Sequence, residues 1–328
     1  MQTPSIALHA DEPTLSARPL FQLREAGQPT LAVQVQHSTA TWPAAVGNVV
    51  YLHGSTFGAD LSIFYRFEGR SWADALNDAG LTVWGFDWAG YGHSQRYPAA
   101  GSEPVGRMIE VLPQLRRVIA AVRERNGDRP VALVAHSWGA SVAAGYASRH
   151  PEDVNALVLF GAIVKRSPVS APIAATPSPS HHAISVWAQY RRFVEDVPRG
   201  QAQVLSEAHF QAWSQAYLAS DADATTRTPP AVLTPAGPLA DIRAWWGGQW
   251  LYQPSQIMAP TLLVRGEWDS LCTDADAATL LAALGSRHKS DCRIERATHL
   301  MHLESQRAEL YQQVNRFLQA IVPPAQAT

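Results

Sequence analysis

Cysteine is scarce in this sequence: only Cys272 and Cys292 occur among 328 residues. That excludes a disulfide framework for a chain of this length and points to two reduced thiols. Charge is sparse too, at 16% of residues, with a formal net charge of -2. With no basic run, nothing electrostatic selects nucleic acid or an anionic membrane as a partner. No uninterrupted apolar stretch is long enough to span a bilayer. Residues 1–19 are polar and broken by proline, without the apolar centre of a signal peptide. The expected compartment is the cytoplasm. There is no internal repeat.

What is present is an alternation of short β-rich runs with helix-length segments. Strand-like runs occupy residues 31–37 (LAVQVQH), 48–53 (NVVYLH), 81–87 (LTVWGFD), 130–136 (PVALVAH) and 155–162 (NALVLFGA). Helical segments lie between them, notably residues 105–125 and the small-residue run after Ser137. Apolar strands with little alternation predict a mostly parallel sheet covered on both faces. The rhythm breaks over residues 165–254, where proline clusters mix with Trp187, Trp213, Trp245, Trp246 and Trp250. Helices are expected there at residues 184–194 and 207–220. Strands resume at residues 260–269 (PTLLVRGEWD) and 291–296, and an amphipathic helix over 303–321 closes the chain. An interruption between two strands of one sheet reads as an inserted, mainly helical cap. The core is then residues 1–164 and 255–328.

One stretch carries chemistry. In Ala135-His136-Ser137-Trp138-Gly139 a serine stands between a strand and a helix, with small residues two positions to either side. A nucleophile elbow needs such neighbours, because bulk would clash in so tight a turn. Alanine stands where glycine is usual, and a serine capping the helix explains the same local pattern. A serine hydroxyl also needs a base, and the base an orienting acid. Asp269 ends the strand at 260–269, and His299 follows the last strand in RATHLMHLE. The chain order serine, acid, histidine is that of elbow-type hydrolases. His302 competes with His299 but falls nearer the last helix, and Glu304 suits a structural role, capping that helix or holding its first turn. Glu267 precedes Asp269 by two residues, and Asp87 would hold the glycine-rich turn that follows it. No HExxH pattern or other ligand cluster occurs, so neither metal nor cofactor is implied.

Acyl transfer also needs donors for a developing oxyanion. The backbone N–H of Trp138, at a helix N-terminus, is one candidate. The turn His53-Gly54-Ser55-Thr56 supplies the other, at Ser55 or alternatively at Thr56.

With these pieces together, the chain resembles proteins of the α/β-hydrolase fold over nearly all its length. The motifs that carry the resemblance are VVYLHGS, GFDWAGYGHS, AHSWGA, LLVRGEWD and ATHLMHLE. The resemblance implies an eight-stranded, mostly parallel sheet with a lid between the sixth and seventh strands. It also implies Ser137, Asp269 and His299 as a triad, and a structural role for the GFDWAGYGHS turn. No acid follows the sixth strand at Phe160-Gly161-Ala162, the position some relatives use. Relatives with aspartate at the elbow, the haloalkane dehalogenases and epoxide hydrolases, form alkyl esters; serine implies an acyl-enzyme.

Thr56, Phe57, Trp88, Trp187 and Trp246 are the candidates for lining a pocket. They suit a small-molecule substrate that is uncharged and partly apolar. An ester or lactone comes first; amide, thioester and carbon–carbon substrates fit the same triad. A non-catalytic binding protein on the same fold is the rival class.

Overall fold

A computed structural model describes residues 20–37, 47–98, 101–127, 130–167 and 179–321. The amino-terminal expectation for residues 1–19, and most of the first proline cluster at 167–180, lie outside the described residues. The chain begins with β1 (Leu20–Leu23), β2 (Leu31–Gln36), β3 (Gly47–Leu52), α1 (Trp72–Asp78) and β4 (Leu81–Phe86). It continues through α2 (Met108–Asn126), β5 (Val131–His136), α3 (Trp138–Ala147) and β6 (Val154–Phe160). An insertion follows, with β7 (His181–Ser185), α4 (Val186–Val194), α5 (Glu207–Ala219), β8 (Ala231–Pro235) and α6 (Gly237–Trp246). The main sheet resumes with β9 (Thr261–Gly266), α7 (Asp274–Ala283), β10 (Lys289–Ile294) and α8 (Arg307–Ile321).

Eight strands form one sheet in the order β1-β2-β4-β3-β5-β6-β9-β10. Strands β3 to β6, β9 and β10 run parallel, whereas β1 and β2 are antiparallel additions at one side. Side chains alternate across the sheet, as the pleat requires. Leu133 and Ala135 of β5 enter the apolar cluster beneath α2 and α3, while Ala132 and Val134 enter the cluster beneath α1 and α8. Both faces of β5 are therefore buried, which is why its sequence shows no polar alternation.

The insertion is not helical throughout. β7 and β8 pair antiparallel from His181↔Pro235 to Ser185↔Ala231, so a two-stranded sheet precedes α4 where helix was expected from residue 184. The insertion is keyed into the core by single polar contacts. The Trp213 indole N–H donates to Leu61 O at 3.0 Å. The buried Asp241 of α6 accepts from Met108 N, at the start of α2, and from the Trp138 indole. No helix among the described residues is long and apolar enough to cross a membrane.

Candidate active site

Parallel neighbours end at one edge of a sheet, so the loops after β3, β5, β6, β9 and β10 meet there. Those loops carry residues 53–56, Ser137, Gly161, Asp269 and His299 respectively. Residues far apart in the chain are thereby gathered by strand order alone.

Ser137 is only 5% exposed and has φ 55° and ψ -123°, a backbone state that side chains disfavour. Its side chain makes no helix-capping bond. Two neighbours permit the turn. A Cβ on Gly139 would lie 2.3 Å from His53 O, so a larger residue would force α3 away from β3. Ala135 lies flat in the sheet, paired with Leu52 and Leu159, and its methyl is absorbed by the core. Alanine in place of glycine thus leaves the elbow intact.

The Ser137 hydroxyl faces His299 Nε2 at 2.9 Å. On the opposite side of the ring, His299 Nδ1 lies 3.0 Å from each Asp269 oxygen. A carboxylate only accepts, so Nδ1 carries the proton and Nε2 is left as the acceptor for the hydroxyl. Asp269 Oδ1 also accepts the N–H groups of Leu271 at 2.8 Å and Cys272 at 3.0 Å. The carboxylate is dry, yet several donors face it.

The backbone of His299 is held on both sides. His136 Nε2–H donates to the His299 carbonyl at 3.0 Å, which ties the neighbour of Ser137 directly to the backbone of His299. Thr298 N and its hydroxyl both donate to the buried Glu304 carboxyl, and Leu300 N donates to Thr298 Oγ1. Glu304 is therefore a brace for the histidine loop. Burial lifts its carboxyl from the ordinary 4.5 to about 7, with the charges of Asp269 and Asp196 adding to the rise against the Thr298 bonds. Burial and then the His299 ring lower the His302 imidazole to about 3. His302 sits in a short turn at residues 301–303, and its ring nitrogens make no bond to the Ser137 hydroxyl.

The turn at Gly54, Ser55 and Thr56 lies beside the elbow, since a Cβ on Gly54 would be 3.3 Å from Ser137 Cβ. Ser55 O is anchored by the Tyr91 hydroxyl at 2.8 Å. Phe57 follows this turn and packs on Trp213 and His302, while Thr56 is half-buried. The three tryptophans proposed for the pocket differ in their surroundings. Trp88 is wholly buried against Phe86 and Trp138, because its indole must reach His53 O. Trp187 is 67% exposed and stacks on Tyr190 of α4. Trp246 lies under the Arg166 guanidinium, 4.6 Å from its ring centre. Asp87 holds two turns by accepting from Ala59 N and His93 N, and Glu267 turns to Arg296 N. Both cysteines are free thiols.

A protein-family model for the alpha/beta hydrolase fold matches residues 47–306. The chain belongs to this family. Solved structures agree on the fold of this α/β-hydrolase. It is similar to a soluble variant of monoglyceride lipase from Saccharomyces cerevisiae, with a TM-score of 0.64 at 14% identity, over 94% of this chain and 97% of that one. A thioesterase domain from the curacin biosynthetic pathway matches with a TM-score of 0.61 at 18% identity, over 91% and 99% of the two chains. Est1E from Butyrivibrio proteoclasticus, solved with ferulic acid, matches with a TM-score of 0.56 at 13% identity, over 92% and 99%. No curated protein matches the chain.

Proposed function

We propose that this α/β-hydrolase is a serine hydrolase that cleaves a carboxylic ester or lactone through an acyl-enzyme on Ser137. One observation carries the reading: hydroxyl, imidazole and carboxylate stand in line, with contacts of 2.9 and 3.0 Å, at the ends of three strands. In the proposed cycle Ser137 Oγ attacks the substrate carbonyl while His299 Nε2 takes its proton. Asp269 keeps the ring in the tautomer that accepts and stabilises the imidazolium. The N–H groups of Trp138 and Ser55 hold the oxyanion. His299 then protonates the leaving alcohol, and water, activated by the same ring, releases the acid and restores Ser137.

Residues 165–254 act in this reading as a cap. The apolar cluster of Phe57, Phe193, Trp213, Leu300 and Leu303 joins it to the loops around the triad, which suits an uncharged, partly apolar substrate. Esters fit the lipase and ferulic-acid-binding neighbours; a thioester is the second reading, favoured by the curacin thioesterase domain. A cytoplasmic setting fits the two free thiols. The test is a fluorophosphonate probe followed by peptide mass mapping. The adduct is expected on Ser137, and Ser137→Ala should lower ester turnover by about 10³-fold or more with an unchanged melting temperature. Folded protein that is unlabelled, or an active Ser137→Ala variant, overturns the assignment. A panel of esters, lactones and thioesters then ranks the substrate classes.

A further inference from the structure

We infer that Arg166 is a positioning residue for the catalytic acid, acting on Asp269 through two intervening peptide groups. The inference rests on the triad reading above and adds a residue that none of the motifs contains. Arg166 follows β6 at the entry to the insertion, and its Nη2 donates to Ser270 O and to Leu271 O, each at 3.1 Å. The N–H groups of those same two peptide units belong to Leu271 and Cys272. Both point the other way, onto Asp269 Oδ1, at 2.8 and 3.0 Å. In a trans peptide the carbonyl and N–H are antiparallel. Each unit therefore runs carbonyl to cation and N–H to carboxylate, and the two dipoles lie aligned between opposite charges. Nothing else in the site ties the acid's loop to a cation in this way among the described residues.

Arg166 is itself fixed. Its Nε and Nη2 reach the two oxygens of Asp276 at 3.0 and 2.7 Å, in the planar fork that lysine cannot reproduce. Burial works to raise the Asp276 carboxyl, but the guanidinium and the Thr273 donors outweigh it and hold the group below its ordinary range. On its other face the guanidinium is covered by Trp246, and the backbone N–H of Arg166 donates to Trp245 O at 3.1 Å. The tryptophan assigned to substrate at the sequence level thus serves the acid's support. Without the cation, the 270–272 peptides are free to rotate, and the carboxylate loses the donors that aim it at His299 Nδ1.

The experiment measures Arg166→Met against wild type in two ways. Steady-state kinetics on an ester should show kcat lower by about tenfold or more, with KM within about twofold. Proton NMR of the free protein should show the His299 Nδ1 resonance, assigned with His299→Gln, moved or broadened in Arg166→Met. Arg166→Lys should recover only part of kcat, and guanidinium ion should raise the rate of Arg166→Gly while leaving wild type unaffected. An unmoved Nδ1 resonance overturns the inference, whatever happens to kcat. Should Arg166→Met fail to fold, Arg166→Lys carries the same NMR readout, with Trp246→Leu as its control. Trp246→Leu, which spares the hydrogen bonds, should leave the resonance near its wild-type position. If wild-type Ser137 fails to react with the phosphonate, the hydrolase reading falls, while the resonance still reports on Arg166 and Asp269.

Discussion

Ser137 shows how much local constraint one side chain requires. Its positive φ is tolerated because the turn is over-determined: its N–H donates to Phe160 O at 3.0 Å, and α3 packs closely over β3. Gly161 has a matching role on the neighbouring strand. Its φ is +56°, and a Cβ there would come within 3.0 Å of His299 Nδ1 and Cε1 and 3.4 Å of Asp269 Oδ2. The loop after β6 is thus the floor on which the histidine and its acid rest. Gly161→Ala should cost about 1–2 kcal/mol of stability from backbone strain. It should also lower kcat about tenfold or more, because the ring is displaced from the hydroxyl. Urea unfolding and steady-state kinetics on one preparation check both halves; an alanine variant with wild-type kcat would show that the ring does not rest on this residue.

Among the secondary-structure elements, α7 couples capping to the site. Thr273 accepts from Asp276 N, and Asp276 accepts from Thr273 N, the reciprocal bonds of a capping box. The same Asp276 holds Arg166, so the start of this helix supports the acid's loop. Thr273→Ala should destabilise the protein by about 1 kcal/mol, read as a lower denaturant midpoint with unchanged slope. The strands of the main sheet were legible from apolar runs bounded by turns, to within one or two residues for most ends and four at the N-terminus of the last helix. The exceptions are instructive. β1 is four residues long and only half-buried at the sheet edge, so it carries little hydrophobic signal. β7 reads HHAIS and exists through its pairing with β8, some fifty residues later in the chain, which no local propensity reveals.

At the level of the whole molecule, burial of ionisable groups around the candidate site shapes the response to pH. His136 and His302 are buried, and desolvation together with neighbouring imidazoles keeps both below the ordinary 6.5, His302 at about 3. Their rings stay neutral in the folded protein and gain protons in the unfolded chain. This stabilisation is complete above pH 6.5 and lost as pH falls below it, for His302 down to about 3. Glu304 works in the opposite direction. Its carboxyl, raised to about 7, keeps a proton that the unfolded chain releases near 4.5, so stability falls as pH rises between those values. A shift of that size is worth on the order of 3 kcal/mol. Chemical denaturation across pH 4 to 8 should therefore show His302→Phe with a shallower acid limb. Glu304→Gln should lose the decline between pH 4.5 and 7; a parallel displacement of either curve, with no change of slope, would refute the linkage.

The residues that meet at the candidate site, Ser137, Asp269 and His299, could be picked out in the chain because the marks around them are local. A strand end, small flanking residues and an N-terminal helix turn leave contiguous marks around Ser137, and Asp269 and His299 follow strands of their own. The residues that brace these three left no such marks. Arg166 meets the acid's loop more than a hundred residues away, and Glu304 was indistinguishable from a helix cap until its partner Thr298 was known. The surroundings of the candidate pocket tryptophans were hidden for the same reason: Trp88 is buried and Trp187 exposed, and the packing of distant elements decides which. Local backbone geometry is written in adjacent residues. Which side chains converge depends on strand order, and that order exists only once the sheet has assembled.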